Sequence, residues 1–194
     1  MPTVQRQGID TAVVAAVVAA VLALTAACGS APSAPSPPAV TVVRPPDTPA
    51  GSAPAAPTGE PVLTVSGRIA AAGGALRLDR AGLDAMGVLQ MTVDDPWAKR
   101  RLPLRGVWLR DLVERARPDA AATTLHVTAL DDYQVDLALA DVRAQGILLA
   151  TRTGDGADLP LEDGGPTRVV FADGLAERFS PDLWIWNIRT IEVR

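Results

Sequence analysis

From residue 62 onwards the spacing of apolar side chains changes repeatedly between two periods. Val62, Leu63, Val65 and Ile69 are set among Thr64, Ser66 and Arg68, the near-alternation of a half-buried strand. Residues 76–78 form a second short strand. Asp79 stands where an N-cap belongs, so a helix is expected over 80–86 with Gly87 as its stop. Residues 88–93 have strand character, and Asp94-Asp95-Pro96-Trp97 is expected to turn. Leu109, Leu112, Val113 and Ala116 then recur at i, i+3, i+4 and i+7, the apolar face of a helix. Arg110, Asp111, Glu114 and Arg115 occupy its polar face, Pro118 ends it, and Gly106 is expected at the turn into it.

Two strand-like runs, 124–130 and 133–139, flank Asp131-Asp132 as a hairpin. A helical turn over 141–145 stops at Gly146. Strands follow at 147–151, 168–171, 184–186 and 189–193. Thr153-Gly154-Asp155-Gly156 and Asp163-Gly164-Gly165-Pro166 supply the turns between them. Many short strands with two or three short helices predict an α+β fold: a single β-rich domain with mixed sheets over residues 62–194.

The pattern before residue 62 differs. Residues 11–27 are uncharged and apolar, Arg6 precedes them, and Ala26-Ala27-Cys28-Gly29-Ser30 follows. This is the order of a secretory signal peptide over 1–27. It resembles a bacterial lipobox, with Thr25 in place of the usual leucine and Cys28 as the lipidated residue. An uncleaved membrane anchor and plain secretion remain alternatives. Residues 28–61 hold ten of the chain's 17 prolines and little charge, so a disordered Pro/Ala/Ser-rich tether is expected. These readings place the domain on the extracytoplasmic face of the cell membrane, held by lipid at Cys28.

Composition removes several classes of function. The net charge is −4 and Lys99 is the one lysine. No basic stripe with interleaved aromatics occurs, so no nucleic-acid partner is expected. Cys28 is the sole cysteine and His126 the sole histidine. That leaves no set of soft or imidazole ligands for a zinc site, and no metal site is expected. Gly-x-Ser-x-Gly, Walker and Gly-x-Gly-x-x-Gly motifs are absent. The adjacent pairs Asp94-Asp95 and Asp131-Asp132 belong to turns rather than to an acid/base dyad, because neighbouring strand residues point to opposite faces. Trp184 and Trp186 are expected on one strand face, where core packing and a ligand surface both remain open.

Six segments in order, VLTVSGRI, LRGVWLRDLVERA, VTALDDYQVDLAL, ILLATRTGDGADLP, DGGPTRVV and WIWNIRTIEVR, resemble the oxidoreductase molybdopterin-binding domain, the sulfite-oxidase-like fold. The resemblance implies a mixed, β-rich α+β domain and a molybdenum–pterin cofactor held by one cysteine thiolate. It places that thiolate near Val93, and no cysteine lies between residues 62 and 194. It also implies that exported, cofactor-loaded members use a twin-arginine signal, whereas Arg6 is followed by Gln7. Molybdopterin is thus suggested by the resemblance alone, and no cofactor or catalytic residue is expected. The leading expectation is a binding or accessory module for a small molecule or an envelope protein, with a ligand groove at Trp97, Asp132, Tyr133, Gly165 and Arg168. Arg168 is the candidate to meet an anion. Two alternatives stand: a molybdopterin-dependent oxidoreductase with a non-thiolate metal environment, and a structural cell-envelope protein.

Overall fold

The computed structural model describes residues 39–194 except 145, 176 and 177; Cys28, the signal segment and the first part of the tether lie outside the described residues. Two five-stranded sheets make up the domain. The first has the order β1 (Val40–Arg44), β4 (Val88–Asp95), β5 (Arg100–Trp108), β8 (Ile147–Thr153), β9 (Arg168–Phe171), antiparallel throughout. The second has the order β3 (Ala75–Leu78), β2 (Leu63–Gly67), β10 (Ile188–Val193), β6 (Thr124–Ala129), β7 (Gln134–Ala138). There β10 runs parallel to β2 and antiparallel to β6. Three short helices connect them: α1 (Arg80–Asp84), α2 (Leu109–Ala116) and α3 (Leu139–Arg143). The mixed-sheet α+β architecture is the one expected.

Helix α2 follows its apolar spacing. Leu109, Leu112, Val113 and Ala116 are fully buried in a core that draws on strands of both sheets. Arg115 departs from the expected polar face. It is buried, and its guanidinium donates to Thr48 Oγ1 at 2.9 Å, the Ser52 carbonyl at 3.0 Å and the Thr48 carbonyl at 3.2 Å. Three charge-assisted bonds offset much of the cost of desolvating it.

Those acceptors lie in the stretch expected to be tether, so the boundary at residue 61 is corrected. Val40–Arg44 adds β1 to the open edge of β4. Further on, Asp79 caps α1 through the Gly82 N–H at 2.8 Å and also accepts the Thr58 and Gly59 N–H groups, each at 2.8 Å. Prolines masked this stretch because they forbid helix and weaken strand pairing, yet Val40, Val42 and Val43 are strand formers.

The second correction is β5. Pro103 and the basic run Lys99-Arg100-Arg101 concealed a nine-residue strand, which pairs with β4 as far as Asp95 opposite Arg100. Asp94 and Asp95 are therefore strand residues, and only 96–99 turn. Gly106 is inside β5 rather than at the turn into α2. A Cβ there would lie 2.0 Å from the Leu149 carbonyl oxygen, so the close approach of β5 to β8 requires glycine.

The Gly82, Gly59 and Thr58 donors hold the Asp79 carboxyl below its ordinary pKa. A depressed carboxylate adds stability above its unfolded pKa of about 3.9 and loses it as pH falls through the lowered folded value. Asp79→Ala should lower Tm at neutral pH and make the 48–59 segment protease-sensitive. The Tm gap to the parent protein should shrink at about pH 2. A gap unchanged across that range, measured by thermal denaturation, would refute the role given to this carboxylate.

Candidate functional site

Three segments distant in sequence meet at one end of the domain. The β4–β5 turn supplies Trp97, the β6–β7 turn supplies Asp131 and Tyr133, and the run 181–187 supplies Asp182, Trp184, Trp186 and Asn187. Between them is an open cleft of about 420 Å³, within the range of small-molecule sites.

Each wall is held by specific contacts. Asp95, at the end of β4, accepts the Trp97 and Ala98 N–H groups at 2.9 and 2.8 Å, which sets the turn bearing Trp97. Its other oxygen pairs with Arg168, at the start of β9, and both side chains are buried. Arg168 also donates to the Asp163 carbonyl at 3.1 Å, and its guanidinium lies 4.2 Å from the centre of the Trp186 ring. Burial pushes the Arg168 pKa below its ordinary value, with Asp95 opposing the shift; a guanidinium remains charged through the physiological range.

The run 184–186 is not the expected strand. Ser180 caps a single 3-10 turn at Pro181–Leu183, and Asn187 takes a positive φ of 50°. Trp184 is buried and tilted against Phe171 at 5.7 Å, whereas Trp186 is half-buried beneath Arg168. Asn187 fastens the segment to the Gly164-Gly165 turn: its N–H donates to the Gly164 carbonyl at 2.9 Å and its side-chain amide to the Leu161 and Gly165 carbonyls. On the opposite wall, the Tyr133 hydroxyl donates to the Asp182 carbonyl at 3.1 Å, and the Tyr133 N–H donates to Asp131 at 3.1 Å.

Of the five residues expected to form a groove, the structure brings Trp97 and Tyr133 to this cleft. Asp132 is at the neighbouring turn position with φ 67° and pairs with Arg189; Asp131 takes the place at the cleft. Gly165 precedes a cis peptide to Pro166 and packs so closely that a Cβ would lie 1.8 Å from the Leu159 carbonyl oxygen; its role is in packing. Arg168 borders a separate hollow of about 280 Å³ with Arg100, Asp155 and Asp163, and its guanidinium is already taken by Asp95. The expectation that it would meet an anion is corrected: a buried, neutralised arginine has no charge left to offer. Asp182, Trp186 and Asn187 were not among the five. Only the tryptophan carried a signal, and Asp182 and Asn187 have none apart from the contacts they make. His126 reaches Asp136 at 2.7 Å across β6–β7, a satisfied cross-strand pair.

Residues 84–191 match the oxidoreductase molybdopterin binding domain, more than half of the chain. The chain belongs to that family. Strands β1 to β3 precede the matched stretch. Among solved structures, the fold is similar to that of the sulfane dehydrogenase SoxCD from Paracoccus pantotrophus. The TM-score is 0.55 at 15% sequence identity, over 68% of this chain and 37% of that one, so the chain spans well under half of that protein's length. No curated protein matches the chain.

The residues present do not fit the family's cofactor. The position near which its thiolate ligand is implied, Val93, is a fully buried valine in the core, paired with Leu102. No cysteine follows Cys28, and among the described residues no group of three metal-ligating side chains forms. Molybdopterin also carries a phosphate, which calls for cationic or backbone donors. Among the described residues the cleft's charged side chains are Asp131 and Asp182, with no lysine or arginine. The hollow beside Leu102 does hold Arg100, but next to Asp155 and Asp163, and its Arg168 is paired with Asp95.

Removing one partner of a buried ion pair leaves an uncompensated charge and costs about 3–5 kcal/mol. Arg168→Met should destabilise the domain by that amount in urea titration and perturb Trp186 fluorescence. Asp95→Asn, which keeps an oxygen for the Trp97 and Ala98 N–H groups, should leave the β4–β5 turn in place while still costing stability. A stability change under about 1 kcal/mol for Arg168→Met would show that the pair is not the buried anchor described.

Proposed function

We propose that this protein is a membrane-anchored, extracytoplasmic binding module built on the molybdopterin-domain fold, without molybdenum chemistry of its own. The observation that carries the reading is the donor set around the cleft. Near the position where the resemblance implies a metal-ligating thiolate there is a buried valine, no cysteine follows Cys28, and the cleft offers aromatic rings and carboxylates in place of cations. A soft, electron-donating ligand cannot be replaced by a hydrocarbon side chain.

The anchoring part of the proposal rests on the apolar run 11–27, ending in small residues before Cys28. A chain exported unfolded arrives without an inserted cofactor, in keeping with the missing paired arginine after Arg6. The open cleft beside Trp97 favours ligand binding over a purely structural role in the envelope. A protein that only filled space would have no reason to leave Trp97 and Tyr133 about half exposed around a hollow of ligand size.

The full-length protein, extracted from membranes of a host that makes molybdopterin, should show a diacylated Cys28 at its mature N-terminus and no molybdenum by metal analysis. Stoichiometric molybdenum would sink the non-catalytic reading. A mature N-terminus without lipid would remove the anchor and leave the binding module.

A further inference from the structure

The cleft combines two features that together select a ligand. Its walls are aromatic: Trp97 and Tyr133 are about half exposed, Trp186 is half-buried, and Trp184 closes the interior. Its charge is acidic, because Asp131 and Asp182 line it and, among the described residues, no lysine or arginine does. These carboxylates differ from others nearby in sequence. Asp132 is paired with Arg189, and Asp141 with Arg178, whereas Asp131 and Asp182 have no ion pair among the described residues. Asp131 accepts only the backbone N–H of Tyr133, and Asp182 only the Ser180 hydroxyl at 3.4 Å.

Aromatic faces carry negative quadrupole charge and attract cations, most strongly when the ion is poorly hydrated. Trp186 already shows this attraction in its contact with Arg168. Adding two unneutralised carboxylates makes the cleft complementary to a small cation with an apolar surface and unfavourable to phosphates and carboxylic acids. A strongly hydrated metal ion would need converging oxygen ligands, and among the described residues no such group exists.

We propose that the cleft is a binding site for a small alkylammonium ligand of the quaternary ammonium class, its methyl groups against Trp97, Tyr133 and Trp186 and its charge facing Asp131 and Asp182. This names the ligand class of the binding module proposed above and rests on that reading.

Calorimetric titration of the purified full-length protein with choline tests it. The neutral carbon isostere 3,3-dimethylbutan-1-ol and the sugar N-acetylglucosamine serve as comparisons. Choline should bind saturably, with the isostere weaker by about tenfold. Trp97→Ala alters an exposed side chain and should weaken choline by about 2- to 30-fold without lowering Tm. Tyr133→Phe, which keeps the ring and gives up the bond to the Asp182 carbonyl, should retain most of the choline affinity. The double variant Asp131→Asn/Asp182→Asn should weaken choline, leave the isostere unchanged and abolish the salt dependence of binding. Displacement of choline by phosphatidylcholine vesicles would assign the ammonium to a lipid headgroup, and lack of displacement to a free solute; either keeps it in the cleft. Equal binding of choline and the isostere, binding of the sugar alone, or no saturable choline binding would overturn the proposal. Molybdenum analysis of the same sample separates the two levels. A molybdenum-free protein that ignores choline overturns the ligand class alone, and a molybdenum-loaded one overturns the reading beneath it.

Discussion

The buried pair Asp95–Arg168 is the interaction on which the functional end of this domain depends. It links β4 to β9, strands separated by β5 and β8 in the sheet order. The sheet closes on itself enough for the Asp94 N–H to reach Asp173, just beyond β9, at 3.0 Å. Two charges taken out of water cost several kcal/mol each unless their remaining valences are satisfied. Here most are: Asp95 also accepts two turn N–H groups, and Arg168 also donates to the Asp163 carbonyl and covers Trp186. Arg168 Nε has no partner among the described residues. One pair therefore positions the Trp97 turn and the Trp186 wall together, and a displacement of either strand would move both sides of the cleft.

The same interaction separates fold from chemistry. The chain has the family's domain, yet the charge expected to meet an anion is paired internally. What remains at the cleft is apolar and acidic. Fold membership is a statement about the packing of strands and helices, and activity is a statement about particular atoms at a site. Val93 makes the distinction concrete. It packs in the core near the position at which the resemblance implies the family's thiolate, and a hydrocarbon side chain provides no electron pair for a metal.

Legibility in the sequence followed the range of the interactions involved. The α2 face, the Asp79 cap, the β6–β7 hairpin and strands β2, β8, β9 and β10 could be anticipated, because each is encoded by neighbours a few residues apart. Strand β5 was hidden by Pro103 and a basic run, since its partners are supplied by β4 and β8. The docking of residues 40–59 was hidden in the same way: nothing near Arg115 in sequence indicates that its guanidinium will find Thr48 and Ser52. At the site, Trp97 and Tyr133 were legible as aromatics beside turns. Asp182 and Asn187 became site residues only through contacts with Tyr133 and with the Gly164-Gly165 turn.

The sequence by itself determined the β-rich α+β class and the absence of any cysteine after Cys28. Both follow from local period and residue identity, which need no coordinates. Tertiary structure decided that Arg168 is buried and neutralised, that Val93 belongs to the core, and that three turns enclose an aromatic, acidic cleft. Those outcomes depend on which distant side chains share a low-dielectric interior, and no local pattern along the chain carries that information.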